Sequence, residues 1–217
     1  SDGRKYVGEW KDGGGEGNVV IFNSGETNNA LLSNLTITNG NAHPKGGGIY
    51  MNHGSVSDTI THNLIINNSS NGTGGGAYWG FGGTILNNIF ADNTSNSNGG
   101  GIYLSNDVGN ADIYMNDILI SDNYAGQGGG IFHQLTTLYL ENSIIENNEA
   151  YIAGAQYFSS YGHCTYDNVI IRGNIASYEA VLYSHTINNI LFNNSVISII
   201  LSIFCISLNL SPPFSFP

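Results

Sequence analysis

The feature that most constrains this chain is a repeat of about 25 to 29 residues. Gly46-Gly47-Gly48-Ile49-Tyr50 returns as Gly74-Gly75-Gly76-Ala77-Tyr78, Gly99-Gly100-Gly101-Ile102-Tyr103 and Gly128-Gly129-Gly130-Ile131-Phe132. It then decays to Ala153-Gly154-Ala155-Gln156-Tyr157 and Glu179-Ala180-Val181-Leu182-Tyr183. By subtraction of residue numbers, the aromatic positions lie 28, 25, 29, 25 and 26 apart, roughly one solenoid coil. A second marker, an apolar residue followed four positions later by Asn, pairs Leu35 with Asn39, Leu64 with Asn68 and Ile89 with Asn93. It continues with Leu119 and Asn123, Ile144 and Asn148, Ile170 and Asn174, and Ile190 and Asn194.

Between the markers lie short β-branched runs bounded by Asn, Gly and Ser, the pattern of strand and turn rather than helix. Strands this short, repeated at coil length, stack in parallel about 4.8 Å apart. No single coil can bury its inner face, so several must stack around a column of Ile, Leu and Val. The expectation is an all-β, right-handed parallel β-helix of about six to seven coils over residues 18–195. Residues 1–17 form an N-terminal cap or separate segment, and 196–217 a degenerate final coil or apolar tail. Asn39, Asn68, Asn93, Asn123, Asn148, Asn174 and Asn194 are expected to form one vertical ladder, each side-chain amide bonding to the next. The glycine triplets are expected where the backbone turns with positive φ or approaches closely. Variation in coil length is placed in bulges near residues 52–58 and 106–111.

The alternation of Gly-Gly-Gly-Ile-Tyr with apolar-x-x-x-Asn resembles right-handed β-helix repeats of bacterial surface proteins. It is also similar to the GGAI and FxxN repeats of chlamydial polymorphic membrane proteins, which implies an adhesin displayed outside the cell or on its surface. Residues 3–13, with Tyr6-x-Gly8-x-Trp10-x-x-Gly13, resemble a single MORN repeat, a β-hairpin module that implies either the end of an upstream unit or a cap on the first coil.

Composition narrows the partners. Only 10% of the 217 residues are charged, against about 25% in ordinary soluble proteins, and the net charge is −11. Five basic residues are too few to clamp a phosphate backbone, so nucleic acid is not expected. A polysaccharide or a surface protein fits better. The chain begins at Ser1 without a signal sequence, which reads as a processed protein or a fragment. The apolar run from Val196 to Leu210 is shorter than the roughly 20 residues of a membrane span and is diluted by Ser198, Ser202 and Ser207, so membrane association is not expected. Two cysteines, Cys164 and Cys205, exclude a disulfide scaffold.

Chemistry-bearing residues are sparse. A lyase would need a basic residue to abstract a proton, and the repeats offer Lys45 and Arg172; an ordinary ion pair accounts for Arg172. A hydrolase would need converging carboxylates, but Asp107, Asp112, Asp117 and Asp122 have odd spacing, which sends neighbours to opposite strand faces. Asp107 and Asp112 are the candidate calcium ligands, and no other cofactor is called for. The six histidines lack metal-site spacing and read as surface or turn residues, while Cys164 and His163 should point to opposite faces. A non-catalytic adhesion or structural module is therefore the leading reading, with a carbohydrate-active enzyme, lyase or glycoside hydrolase, as the alternative. Alternation places Tyr50, Tyr78, Tyr103, Phe132, Tyr157 and Tyr183 on the outer face. That aromatic column is expected either to bind sugar rings or a partner, or to shield its sheet by stacking.

Overall fold

The computed structural model describes residues 5–7, 10–11, 17–22, 30–51, 58–105, 112–159, 162–178, 181–184 and 189–198. They form a parallel β-solenoid of about six turns, with no helix among the described residues. Four parallel sheets run along it, here called A to D: A and B have eight strands each, C six and D seven. One coil passes from sheet A through B and C to D, as in Asp112–Asn116, Leu119–Ser121, Tyr124–Gln127 and Ile131–His133. Each strand pairs in register with its equivalent in the next coil, for example Tyr78 with Tyr103 and Ile89 with Leu119.

Short strands alternate faces, so one or two side chains per strand enter the core. Ile60, Ile85, Met115, Leu140 and Tyr166 enter from sheet A; Ile65, Phe90, Ile120, Ile145 and Ile171 from sheet B; Ile102, Leu104 and Ile131 from sheet D. The corners between sheets need a left-handed residue, which Asn and Asp adopt at low cost. Asn34, His62, Asn87, Asp117, Asn142, Asn168 and Asn194 hold positive φ between sheets A and B. Asn39, Asn67, Asp92, Asp122, Asn147 and Gly173 do so between B and C.

The glycine corner between C and D divides its triplet among three tasks. Gly46, Gly74, Gly99 and Gly128 have φ of 64 to 69°, and Ala153 takes the same place with φ 59°. At the second position, a Cβ on Gly100 would lie 2.4 Å from the Gly129 carbonyl oxygen and 2.6 Å from that of Tyr124. The third position touches the Asn column, and there Ala155 replaces glycine.

The N-terminal segment departs from the hairpin that a MORN repeat implies. Lys5–Val7 pairs in parallel with Leu31–Ser33, and Trp10–Lys11 with Thr36–Thr38, so these strands add a coil to sheets A and B. At the other end Val196–Ser198 adds to sheet B. Residues 199–217, with Cys205, lie outside the described residues, as do 52–57 and 106–111, where the bulges were expected.

One histidine is not a surface residue. His133 lies inside the core, and its Nε2 is 2.9 Å from the Thr136 carbonyl. A carbonyl only accepts, so Nε2 carries a proton. Nδ1 has no partner, and burial lowers the pKa to about 4. The unfolded chain, with a value near 6.5, therefore binds the proton first as pH falls. Stability should be intact above pH 6.5 and decline by about 3 kcal/mol towards pH 4. Urea midpoints at pH 7 and pH 4.5 should show this decline, and His133→Leu should remove that part of it. An equal acid response in His133→Leu would assign the loss to other groups.

Candidate functional site

Two inner ladders, one aromatic column and two outer tyrosine stacks are candidates for function. Along the corner between B and C, Asn68, Asn93, Asn123, Asn148 and Asn174 are buried and stacked. The Nδ2 of each of the first four donates to the Oδ1 of the next at 2.9 to 3.1 Å, and that of Asn174 donates to the Ile145 and Arg172 carbonyls. Each Oδ1 also accepts a backbone N–H from the preceding coil, Gly40 at 2.9 Å for Asn68 and Asn93 at 2.9 Å for Asn123. The second amide proton reaches a backbone carbonyl, as from Asn123 to Phe90 at 2.9 Å. Asn39 and Asn194 are not in this column. Asn39 aligns with Asn67 at the left-handed corner, leaving Gly40 at the ladder position, and Asn194 sits at the A–B corner beyond Asn168. Both are exposed. A shorter inner ladder, which sequence reading missed, links Asn63 to Asn88 at 3.0 Å. The ladders satisfy the backbone where the chain bends and leave no polar atom facing a ligand.

The aromatic column lies outside the main core as a cluster of its own. Tyr78, Tyr103, Phe132 and Tyr157 stack at 4.9 to 5.1 Å between centroids, with planes 5 to 11° apart; Tyr50 and Tyr183 are tilted at the ends. The four central rings are at most 8% exposed, which corrects the expectation of an open platform. Parallel rings this close cannot lie side by side, so each face is covered by the next ring and only edges could meet a ligand. Lys45 closes one flank: its Nζ sits 4.1 Å over the Tyr78 ring and donates to the Tyr78 hydroxyl at 2.8 Å. Ile152 packs on the cluster in the same corner column. The column thus shields sheet D, with stacking contributing about 0.5–1.5 kcal/mol per pair.

Exposed aromatic rings lie elsewhere, at positions the repeat did not single out. On sheet A, Tyr114 and Tyr139 stack at 4.9 Å and 7°, with Tyr114 48% exposed. At sheet C, Tyr151 stacks at 5.2 Å on Tyr178, which lies just past the strand Ile175–Ala176; they are 54% and 60% exposed, with Tyr124 exposed nearby. The flanking side chains are polar: Asp112, Thr137, Glu141, His163 and Asp167 line the outer face of sheet A. The Tyr114 hydroxyl donates to Asp112 at 3.3 Å, and desolvation with the Asp112 charge raises the Tyr114 pKa.

The remaining candidates disperse. Asp112 opens a sheet A strand and Asp107 lies outside the described residues. Among the described residues no group of three His, Cys, Asp or Glu converges on a metal position. Arg172 pairs with Glu146 at 2.7 Å on the surface, an interaction that adds little stability. Cys164 is buried, with burial pushing its thiol up to about 12, and His163 is exposed on the opposite face. A thiol in that state is protonated and inert.

This architecture defines a parallel β-solenoid. No protein-family model, curated protein or solved structure matches the chain.

Proposed function

We propose that this chain is a non-catalytic recognition module, displayed outside the cell or on its surface, that binds neutral polysaccharide through its outer faces. The observation that carries this reading is the pair of exposed tyrosine stacks, Tyr114–Tyr139 and Tyr151–Tyr178. Each leaves its two end faces uncovered by the other ring, beside hydroxyl and carboxylate groups. Aromatic faces attract the C–H face of a sugar ring, while the flanking polar groups orient its hydroxyls. The charge of −11 disfavours an anionic polysaccharide by repulsion, which leaves neutral glycans as the better class. Rigid sheets hold these groups at fixed spacing, which lowers the ordering cost of binding.

Co-sedimentation of the purified chain with insoluble cellulose, chitin and mannan tests this reading. Retention on at least one neutral polymer is expected, without release of reducing sugar. Replacing Tyr114, Tyr139, Tyr151 and Tyr178 together by Ala should remove that retention while the fold is kept, with stability lowered only by the two lost stacks, about 0.5–1.5 kcal/mol each. Failure to bind any neutral polymer would overturn the reading, and release of oligosaccharide would place the chain among carbohydrate-active enzymes.

A further inference from the structure

The outer column of sheet A has a missing rung. From the third coil of the sheet onward its residues are Thr59, Thr84, Tyr114, Tyr139, Thr165 and Leu191. Two tall rings are therefore followed by a short Thr and then by Leu191, which is 48% exposed. Tyr114 covers one face of Tyr139; the other face looks towards the coil of Thr165, where the side chain is too small to cover it. Successive strands are about 4.8 Å apart, so Tyr139 and Leu191 stand roughly 10 Å apart across Thr165. That gap is two stacking distances, the room one further ring needs.

The slot has polar sides. His163 and Asp167 occupy the outward positions two residues either side of Thr165 on the strand His163–Asp167. Alternation along that strand sends Cys164 and Tyr166 inward and leaves these three on the outer face. His163 and Asp167 thus lie about 7 Å to either side of the floor, within side-chain reach of substituents on the edge of an inserted ring. Thr137 and Glu141 hold the corresponding places beside Tyr139.

We infer that the notch at Thr165 is a saccharide subsite that takes a single neutral pyranose, inserted as the next rung after Tyr114 and Tyr139. Its apolar C–H face stacks on Tyr139 and its opposite face meets Leu191. His163 and Asp167 bond its hydroxyls, one able to donate and the other to accept. A ring with all substituents equatorial, as in β-linked glucose units, presents two flat C–H faces and fits between two such walls. The base of a nucleotide would also stack, but the nucleotide's phosphate would meet the carboxylates of Asp167 and Glu141. This inference rests on the glycan-recognition reading and assigns it one address.

The test is calorimetric titration of the full chain with cellotetraose, accompanied by saturation-transfer difference NMR. Binding is expected, with saturation strongest at the sugar's axial C–H protons. Thr165→Trp, which fills the notch with its own ring, should weaken binding at least tenfold at unchanged melting temperature. Tyr139→Leu should weaken it comparably, and Asn39→Gly, at an exposed corner between sheets B and C, should leave it within twofold. If Thr165→Trp fails to fold, Thr165→Tyr is the substitute, with the same expected loss. Cellotetraose binding that survives both the Thr165 and the Tyr139 substitutions would overturn the subsite while leaving glycan recognition standing. A chain that binds neutral polymers through Tyr151 and Tyr178 alone would do the same. Absence of binding to cellotetraose and to every neutral polymer would remove both.

Discussion

Asn123→Ala should destabilise the solenoid by about 3–5 kcal/mol, because it removes one rung that serves two coils. The Asn123 Oδ1 accepts both the backbone N–H and the side-chain amide of Asn93, and its own Nδ2 bonds the Phe90 carbonyl. Without it the Asn93 N–H is buried and unpaired, and the Phe90 carbonyl loses a donor; each such orphan costs about 1–3 kcal/mol. Asn39→Gly is the contrast. Asn39 is exposed at φ 62°, a conformation that glycine adopts freely, so its replacement should change stability by no more than about 0.5 kcal/mol. Urea denaturation of both variants decides the matter. Equal midpoints would show that the ladder carries none of the assigned stability.

Gly100→Ala should cost about 3 kcal/mol or more. The added methyl would lie 2.4 to 2.8 Å from the Gly129 oxygen and from the carbonyl oxygen and carbon of Tyr124. All three are backbone atoms held in parallel pairing, so relief requires two coils to separate, and overpacking of this kind is costly. Gly101→Ala should cost less: its Cβ would meet one backbone atom closely, the Gly130 oxygen at 2.7 Å, and the equivalent place one coil beyond Gly130 is already held by Ala155. Thermal melts of the two variants should therefore diverge by several degrees or more. Coincident melts would mean that the corner yields more readily than the close contacts imply.

Much of the architecture was legible in the repeat, because every coil obeys the same steric demands at its corners. The register was less so, and the reason lies in the doublets Asn67-Asn68, Asp92-Asn93, Asp122-Asn123 and Asn147-Asn148. The first member turns the chain left-handed and the second enters the ladder. A spacing rule cannot tell the two apart where only one is Asn, so Asn39 and Asn194 satisfied the pattern while standing at the turning positions. The apolar marker misleads in a similar way. Leu64, Ile89, Leu119, Ile144 and Ile170 keep the period, yet they face outward, and the residue after each enters the core.

The candidate site was less legible still. Alternation gives the direction of Tyr78 or Phe132 but not what covers it, since the cover is supplied by rings one coil away and by the Lys45 and Ile152 corner. His133 stands at an inward position between Leu104 and Phe158; nothing in its composition distinguishes it from a surface histidine until the core is assembled. Tyr114 and Tyr139 belong to a column whose other members are Thr and Leu, so no periodic signal marks them.

The ladder also makes the molecule additive along its length. Asn93, Asn123 and Asn148 each accept from the coil before and donate to the coil after through the same atoms. Any one coil therefore offers its neighbours the same pair of junctions as any other. A duplication or excision that begins and ends at equivalent corners rejoins matching surfaces, and no long-range contact has to be rebuilt. Gene rearrangement can thus set the reach of the rod in steps of one repeat, and place an outward residue such as Tyr139 at a chosen height, without redesigning the interior.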